Sequence, residues 1–169
     1  MKNLRSLSLL IFFLTCNISG HAQESHDNST ELFSEGLAGV KEYRIPSLTA
    51  TPNGTLIAMV DARIDRKGDI PNNVDIAIRR STDCGETWGE VQIIANYGRP
   101  EGYEVFWGAA DAAMVYDKQT STLWCIYTMG QGVGIRQSQP GFDGHTCQIH
   151  AIFSKDEGLT WSEPVDITK

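Results

Sequence analysis

Two stretches of the chain repeat one another in register: Ser81-Thr-Asp-Cys-Gly-Glu-Thr-Trp88 and Ser154-Lys-Asp-Glu-Gly-Leu-Thr-Trp161. Serine, aspartate, glycine, threonine and tryptophan recur at the same offsets. The likeness runs past the motif. Trp88-Gly-Glu-Val and Trp161-Ser-Glu-Pro-Val each lead into a further short run, and each motif follows an apolar one (VDIAIRR and QIHAIF). The residue types describe a hairpin turn. Asp83 and Asp156 can accept hydrogen bonds from turn N–H groups. Gly85 and Gly158 can take the positive φ such a turn demands. The threonine can close the turn, and the tryptophan can cover the strands beside it. The motif is structural and carries no catalysis. A unit of this kind that recurs points to a propeller, a solenoid or an array.

Outward from these turns the chain reads as short strands. Tyr43 to Thr49, Thr55 to Val60, Val74 to Arg80 and Val91 to Ile94 alternate or run apolar, as do Ala112 to Tyr116, Leu123 to Thr128, Gln148 to Ser154 and Val165 to Ile167. Turn signals separate them: Pro52-Asn53-Gly54, Asp83 to Gly85, Asp117 to Ser121 and Asp156 to Gly158. No stretch has helical periodicity, so the fold class is all-β. The longest irregular piece is the glycine-rich segment 129–145, and a loop of that length in a compact domain is commonly either functional or flexible.

The N-terminus reads as an export signal over residues 1–22: Lys2 and Arg5, the apolar run Leu7 to Leu14, then small residues up to Ala22. That run is shorter than the roughly 20 residues a bilayer span needs, so the chain is expected to be exported without a transmembrane segment. Cys16 after Leu14-Thr15 is a poor match to a lipid-anchor site. Residues 23–36 are polar and read as a flexible lead-in to a single domain over 37–169. The net charge of −7 argues against non-specific binding to nucleic acid or anionic membranes. Cys84, Cys125 and Cys147 remain after the leader, an odd number with no metal-ligand spacing. Cys125 and Cys147 read as small apolar strand residues. His145 and His150 flank Cys147, but on an alternating strand His150 shares its face with Gln148, and neither a metal nor a cofactor is expected.

The repeated pattern resembles the Asp-box of sialidases, which also occurs in non-catalytic propellers. A second string is more specific. Tyr43-Arg44-Ile45-Pro46 resembles the sialidase signature Phe/Tyr-Arg-Ile-Pro; Asp61-Ala62-Arg63 follows the next strand, and Gly68-Asp69 lies just beyond. This order, running into Ser81 to Trp88, is similar to the opening of the bacterial-type sialidases. The resemblance implies a six-bladed β-propeller, of which this chain supplies about the first two blades. It implies a retaining exo-α-sialidase that removes terminal sialic acid from glycoproteins, glycolipids or oligosaccharides. Arg44 aligns with an arginine of the triad that grips the substrate carboxylate, a task suited to the guanidinium fork. Arg63 aligns with an arginine on the ring's hydroxyl side, and Asp69 with the general acid/base. Asp111 falls near the aspartate that holds the N-acetyl nitrogen. The family's nucleophile is a tyrosine assisted by a glutamate, an exception to the two-carboxylate scheme. That pair and the other triad arginines come from later blades, so residues 1–169 alone are expected to be inactive.

Other readings stand beside these. Arg63 can pair with Asp61 or Asp65. Asp65 and Asp75 compete with Asp69 as loop carboxylates. Asp111 can be a strand-end residue, and Phe106 and Trp107 fit packing between blades better than a sugar pocket. Arg136 reads as a solvated loop charge. For the whole chain the rival is a propeller module that binds sialylated glycans or proteins without cleaving them.

Overall fold

A computed structural model describes residues 29–142 and 144–168; the expected export signal lies outside the described residues. The chain divides into Met1–Thr30 and Glu31–Lys169. Almost all of the first unit lies outside the described residues, and among the described residues the second unit holds every strand. These are β1 (Glu42–Ala50), β2 (Leu56–Arg63), β3 (Val74–Ser81), β4 (Gln92–Ala95), β5 (Trp107–Asp117), β6 (Thr122–Gln131), β7 (Cys147–Ser154) and β8 (Val165–Asp166), preceded by a 3-10 turn at Leu37–Gly39. They form two four-stranded antiparallel meanders, β1-β2-β3-β4 and β5-β6-β7-β8. Each of the eight runs expected from sequence is a strand. Three extend well beyond the apolar pattern, by three residues or more: β2 reaches Arg63, β5 starts at Trp107 and β6 runs to Gln131. The irregular segment between β6 and β7 is therefore 132–146.

The two sheets pack face to face as neighbouring blades. From the first come Ile57, Met59, Ile76 and Ile78; from the second come Leu123, Cys125, Tyr127, Met129 and Ile152. The period-2 alternation of β2 and β6 puts these side chains on one face, and each large apolar one contributes about 1.5–3 kcal/mol by burial. Trp107 packs against this core. Cys125 is fully buried there, and Cys84, Cys125 and Cys147 are all free thiols. The opposite face of the first sheet, with Val60, Ala62 and Ala77, is covered by Phe33 and Val40. Residues at the end of the expected lead-in thus make specific contacts. Phe33 meets Tyr43 at 5.1 Å between rings, and Arg79 donates to the Leu32 carbonyl at 2.8 Å.

Both repeated turns have the hydrogen bonding their residues suggest. The Gly85 N–H donates to Ser81 Oγ at 2.9 Å, the Thr87 N–H to Asp83 Oδ1 at 2.9 Å, and Trp88 Nε1 to the Gly85 carbonyl at 3.1 Å. In the second copy the distances are 2.8, 2.9 and 3.2 Å for Gly158 to Ser154, Thr160 to Asp156 and Trp161 to Gly158. The serine, as acceptor for the glycine and donor to the aspartate, is the hub. Gly85 and Gly158 have φ of 90° and 82°.

Hydrogen bonds from the threonine and the turn backbone hold the Asp83 and Asp156 carboxyls down to about 2. Folded-state values below the unfolded ones mean stability that is present above about pH 4 and lost as pH falls towards 2. Thermal melts followed by circular dichroism should therefore fall on acidification through that window. Asp156→Asn should lower the midpoint at pH 7 and make the acid-side decline shallower; an unchanged acid profile would refute this assignment.

The second turn also grips the first sheet. Glu157 Oε1 accepts from Thr51 Oγ1 at 2.9 Å and Asn53 Nδ2 at 2.7 Å, and Oε2 accepts from Thr55 Oγ1 at 2.6 Å. Arg80 Nε donates to the Glu157 carbonyl at 2.7 Å. One side chain of blade two thus ties down the β1–β2 hairpin of blade one.

Candidate active site

The repeated turns and the β1–β2 hairpin lie at one end of the sheets. The β2–β3 loop (64–73) and the β6–β7 segment (132–146) lie at the other. A cleft of about 390 Å³ opens at that second end, lined by Asp69, Ile70, Asp111, Thr128, Gly134, Ile135, Arg136 and Gln137. The structure therefore brings Asp69 of the first blade to Asp111 of the second. Arg136, expected as a solvated loop charge, is exposed and also lines the cleft. Arg44 and Arg63 do not line this cleft.

Two bulges shape the site. In β1 the pairing with β2 shifts between Arg44 and Ser47. Pro46 has no N–H for the ladder, and Ile45 takes φ 52°, a costly conformation for a β-branched residue. In β5 the pairing shifts between Ala110 and Ala113, and Asp111 takes φ 54°. Bulges of this kind re-aim side chains, and strain is concentrated where structure over-determines it. Arg44 is exposed and lies opposite Asp61 in the β1–β2 register. Asp111 is exposed and faces the cleft.

Asp61 connects the two bulges. It is 1% exposed, and both of its oxygens accept from the Asp111 N–H, at 3.1 and 3.2 Å. Burial, with the nearby Asp111 and Asp69 charges, pushes its carboxyl up to about 7 against these opposing contacts. Because the folded-state value exceeds the unfolded one, ionisation favours the unfolded chain. Stability should decline as pH rises from about 4 to about 7 and then level off. Asp61→Asn keeps an acceptor for the Asp111 N–H and removes that ionisation. The variant should show a smaller decline across this window in chemical denaturation, with a residual slope from Asp75, which burial raises to about 6. An identical slope would refute the assignment.

Arg63 is 8% exposed. Its Nη1 donates to Glu42 at 2.9 Å, and its Nη2 lies 3.7 Å from Asp69 Oδ2. Its partners are Glu42 and Asp69, neither of the alternatives Asp61 and Asp65. Arg63 thus reaches the cleft through Asp69. The competing carboxylates are occupied elsewhere: Asp65 accepts from Asn73 Nδ2 at 3.1 Å, and the buried Asp75 from Asn96 Nδ2 at 2.7 Å. Asp69 is half exposed and accepts from the Ile70 N–H at 2.8 Å. Its loop is stapled from inside by Asn72, 2% exposed, whose Nδ2 donates to the carbonyls of Arg66 at 2.9 Å and Gly68 at 3.0 Å.

A separate polar network crosses between the sheets. The Tyr97 hydroxyl lies 2.9 Å from that of Tyr127 and 2.7 Å from His150 Nδ1, and His150 Nε2 lies 2.9 Å from Gln148 Oε1. His150 and Gln148 do share a face. Burial lowers the imidazole's proton affinity, which suits a neutral ring as a packing element. Among the described residues no group of three or more His, Cys, Asp or Glu could hold a metal, and no helix is long and apolar enough to cross a membrane.

Comparison with known proteins gives a consistent picture. A sialidase of Bacteroides fragilis is 34% identical over 136 residues, covering 75% of this chain and 24% of the relative. A sialidase of Micromonospora viridifaciens is 37% identical over 138 residues, covering 78% and 20%. The chain spans about a quarter or less of these two curated relatives. Among solved structures, a Hadza microbial sialidase superposes with a TM-score of 0.71 at 33% identity, over 78% of this chain and 27% of that one. The NanB sialidase of Streptococcus pneumoniae gives 0.71 at 14% identity, a likeness of fold. No protein-family model matches the chain.

Proposed function

The chain belongs to the sialidase family, and from that premise we propose that it forms the acid-bearing part of an exported exo-α-sialidase acting on terminal sialic acids of glycoconjugates. The observation that carries this reading is the meeting of Asp69 and Asp111, from different blades, on one cleft, with Asp111 presented from the strained bulge of β5. Asp69 protonates the departing glycosidic oxygen and later activates water. An acid in that role has to keep its proton until the leaving group arrives. Arg44 grips the substrate carboxylate with its planar fork, and Asp111 accepts from the N-acetyl nitrogen. Arg63 holds Asp69 in place and is itself held by Glu42.

The tyrosine nucleophile, its glutamate and the remaining triad arginines are supplied by further blades. Two features favour that division: the small share of the relatives' length that the chain spans, and the outer face of the second sheet. Val115, Ile149 and Val165 lie exposed there, at 53%, 41% and 51%, on β5, β7 and β8 of the same sheet. Apolar faces of this kind mark contacts with another element, and a third blade would cover this one.

The test is a fluorogenic sialoside assay on residues 1–169 and on a chimera in which they replace the matching segment of the Bacteroides fragilis sialidase. Turnover by the chimera and none by the chain alone is expected. Turnover by the chain alone would overturn the division of labour. A folded chimera that binds sialosides without cleaving them would favour the non-catalytic module.

A further inference from the structure

Ile70, next to Asp69 in the β2–β3 loop, sits where three glycines of the other blade leave room for it. A Cβ built on Gly108 of β5 would stand 2.4 Å from Ile70 Cγ2, and one on Gly130 of β6 would stand 2.7 Å from the Val133 carbonyl oxygen and 2.9 Å from Ile70 Cδ1. A Cβ on Gly134, in the β6–β7 segment, would stand 2.7 Å from the Ile70 carbonyl oxygen. Such approaches are shorter than any real side chain tolerates. The positions come from two strands and a loop, and none of the three has the positive φ that would call for glycine on backbone grounds. Close approach is the reason left.

We propose that Ile70 is a positioning residue: lodged among Gly108, Gly130 and Gly134, it locks the loop carrying Asp69 to the blade carrying Asp111 and Arg136. The proposal rests on the reading of Asp69 as the acid. It accounts for how an exposed aspartate keeps its place. Among the described residues its ion-pair partner is Arg63, at 3.7 Å, and it accepts a hydrogen bond from the adjacent Ile70 N–H. The side-chain hydrogen bonds of the loop's own staple, Asn72, stay within the loop, while its backbone carbonyl joins Ile70 in the close approach to Gly108, 2.9 Å from a Cβ built there. The socket supplies the tie to the second blade. It acts on both sides of the cleft, because Gly134 lies two residues before Arg136.

The test uses the intact polypeptide that carries this chain, with Ile70→Ala, Ile70→Val and Gly134→Ala. Alanine at 70 empties the socket, valine nearly fills it, and alanine at 134 pushes the loop off the second blade. Each is assayed on 3′-sialyllactose, whose leaving group needs protonation, and on 4-methylumbelliferyl sialoside, whose leaving group needs little. A misplaced acid should cost Ile70→Ala and Gly134→Ala about 10–100-fold in kcat on sialyllactose and under about threefold on the aryl sialoside. Ile70→Val should stay near the parent on both. Equal losses on both substrates, or no loss, would overturn the proposal. If the parent cleaves neither substrate, the reading of Asp69 as an acid fails. The socket is then judged by a crystal structure of Ile70→Ala: a displaced Asp69 supports it, and an unmoved one overturns it.

Discussion

Asp69→Ala, in a polypeptide that turns over sialosides, is expected to lower kcat on sialyllactose by about 10²–10⁴-fold, the usual worth of a positioned general acid. The melting temperature should barely move. The side chain is half exposed, and its ion pair with Arg63 is long, at 3.7 Å; pairs of that kind are worth about 0–1 kcal/mol. Arg63 keeps Glu42 at 2.9 Å when Asp69 is gone. The loss should shrink on an aryl sialoside, because protonation of that leaving group matters less. A large fall in stability, or an equal fall on both substrates, would mean that Asp69 serves the loop and not the chemistry.

Arg44→Ala should act on binding. Among the described residues Arg44 has no hydrogen-bonded or ion-paired partner, and it stands exposed beside the bulge at Ile45–Pro46. A bidentate pair with a carboxylate combines two charge-assisted hydrogen bonds, each worth about 1.5–3 kcal/mol. The expected cost is about 10²–10⁴-fold in kcat/KM on every sialoside, whatever the leaving group. Arg44→Lys should restore about tenfold of it at most, since an ammonium cannot present the planar fork. Full rescue by lysine would show that charge alone suffices there. No effect from either variant would remove Arg44 from the substrate site.

Much of this layout was legible in the sequence because its signals are local. The two Asp-boxes, the Pro52-Asn53-Gly54 turn and the alternation of β2 and β6 mark strands and hairpins without knowledge of what they pack against. The partner of Arg63 was not legible. Counting back from the Pro52-Asn53-Gly54 hairpin puts Glu42 opposite Ile64, and only the extra residue of the Ile45–Pro46 bulge brings it to Arg63. Asp61 read as an ordinary companion of Arg63. Its role depends on the approach of a backbone N–H fifty residues away, for which no local pattern exists. Arg136 was hidden for a related reason: a glycine-rich segment announces a loop but not where the loop lands. The glycines at 108, 130 and 134 would have been the signal for Ile70, had it been clear that they converge.

The grip of Glu157 on Thr51, Asn53 and Thr55 runs backwards along the chain, across about a hundred residues. On a ribosome, the first hairpin would emerge long before the side chain that holds its turn. Local hairpins close early, and distant contacts close late. The first blade would therefore wait as a loosely held meander until the second Asp-box had been synthesised. A Glu157→Ala protein should accordingly unfold faster while its early hairpins form at their usual rate. What looks like a stitch between two turns also sets the order in which the blades are secured.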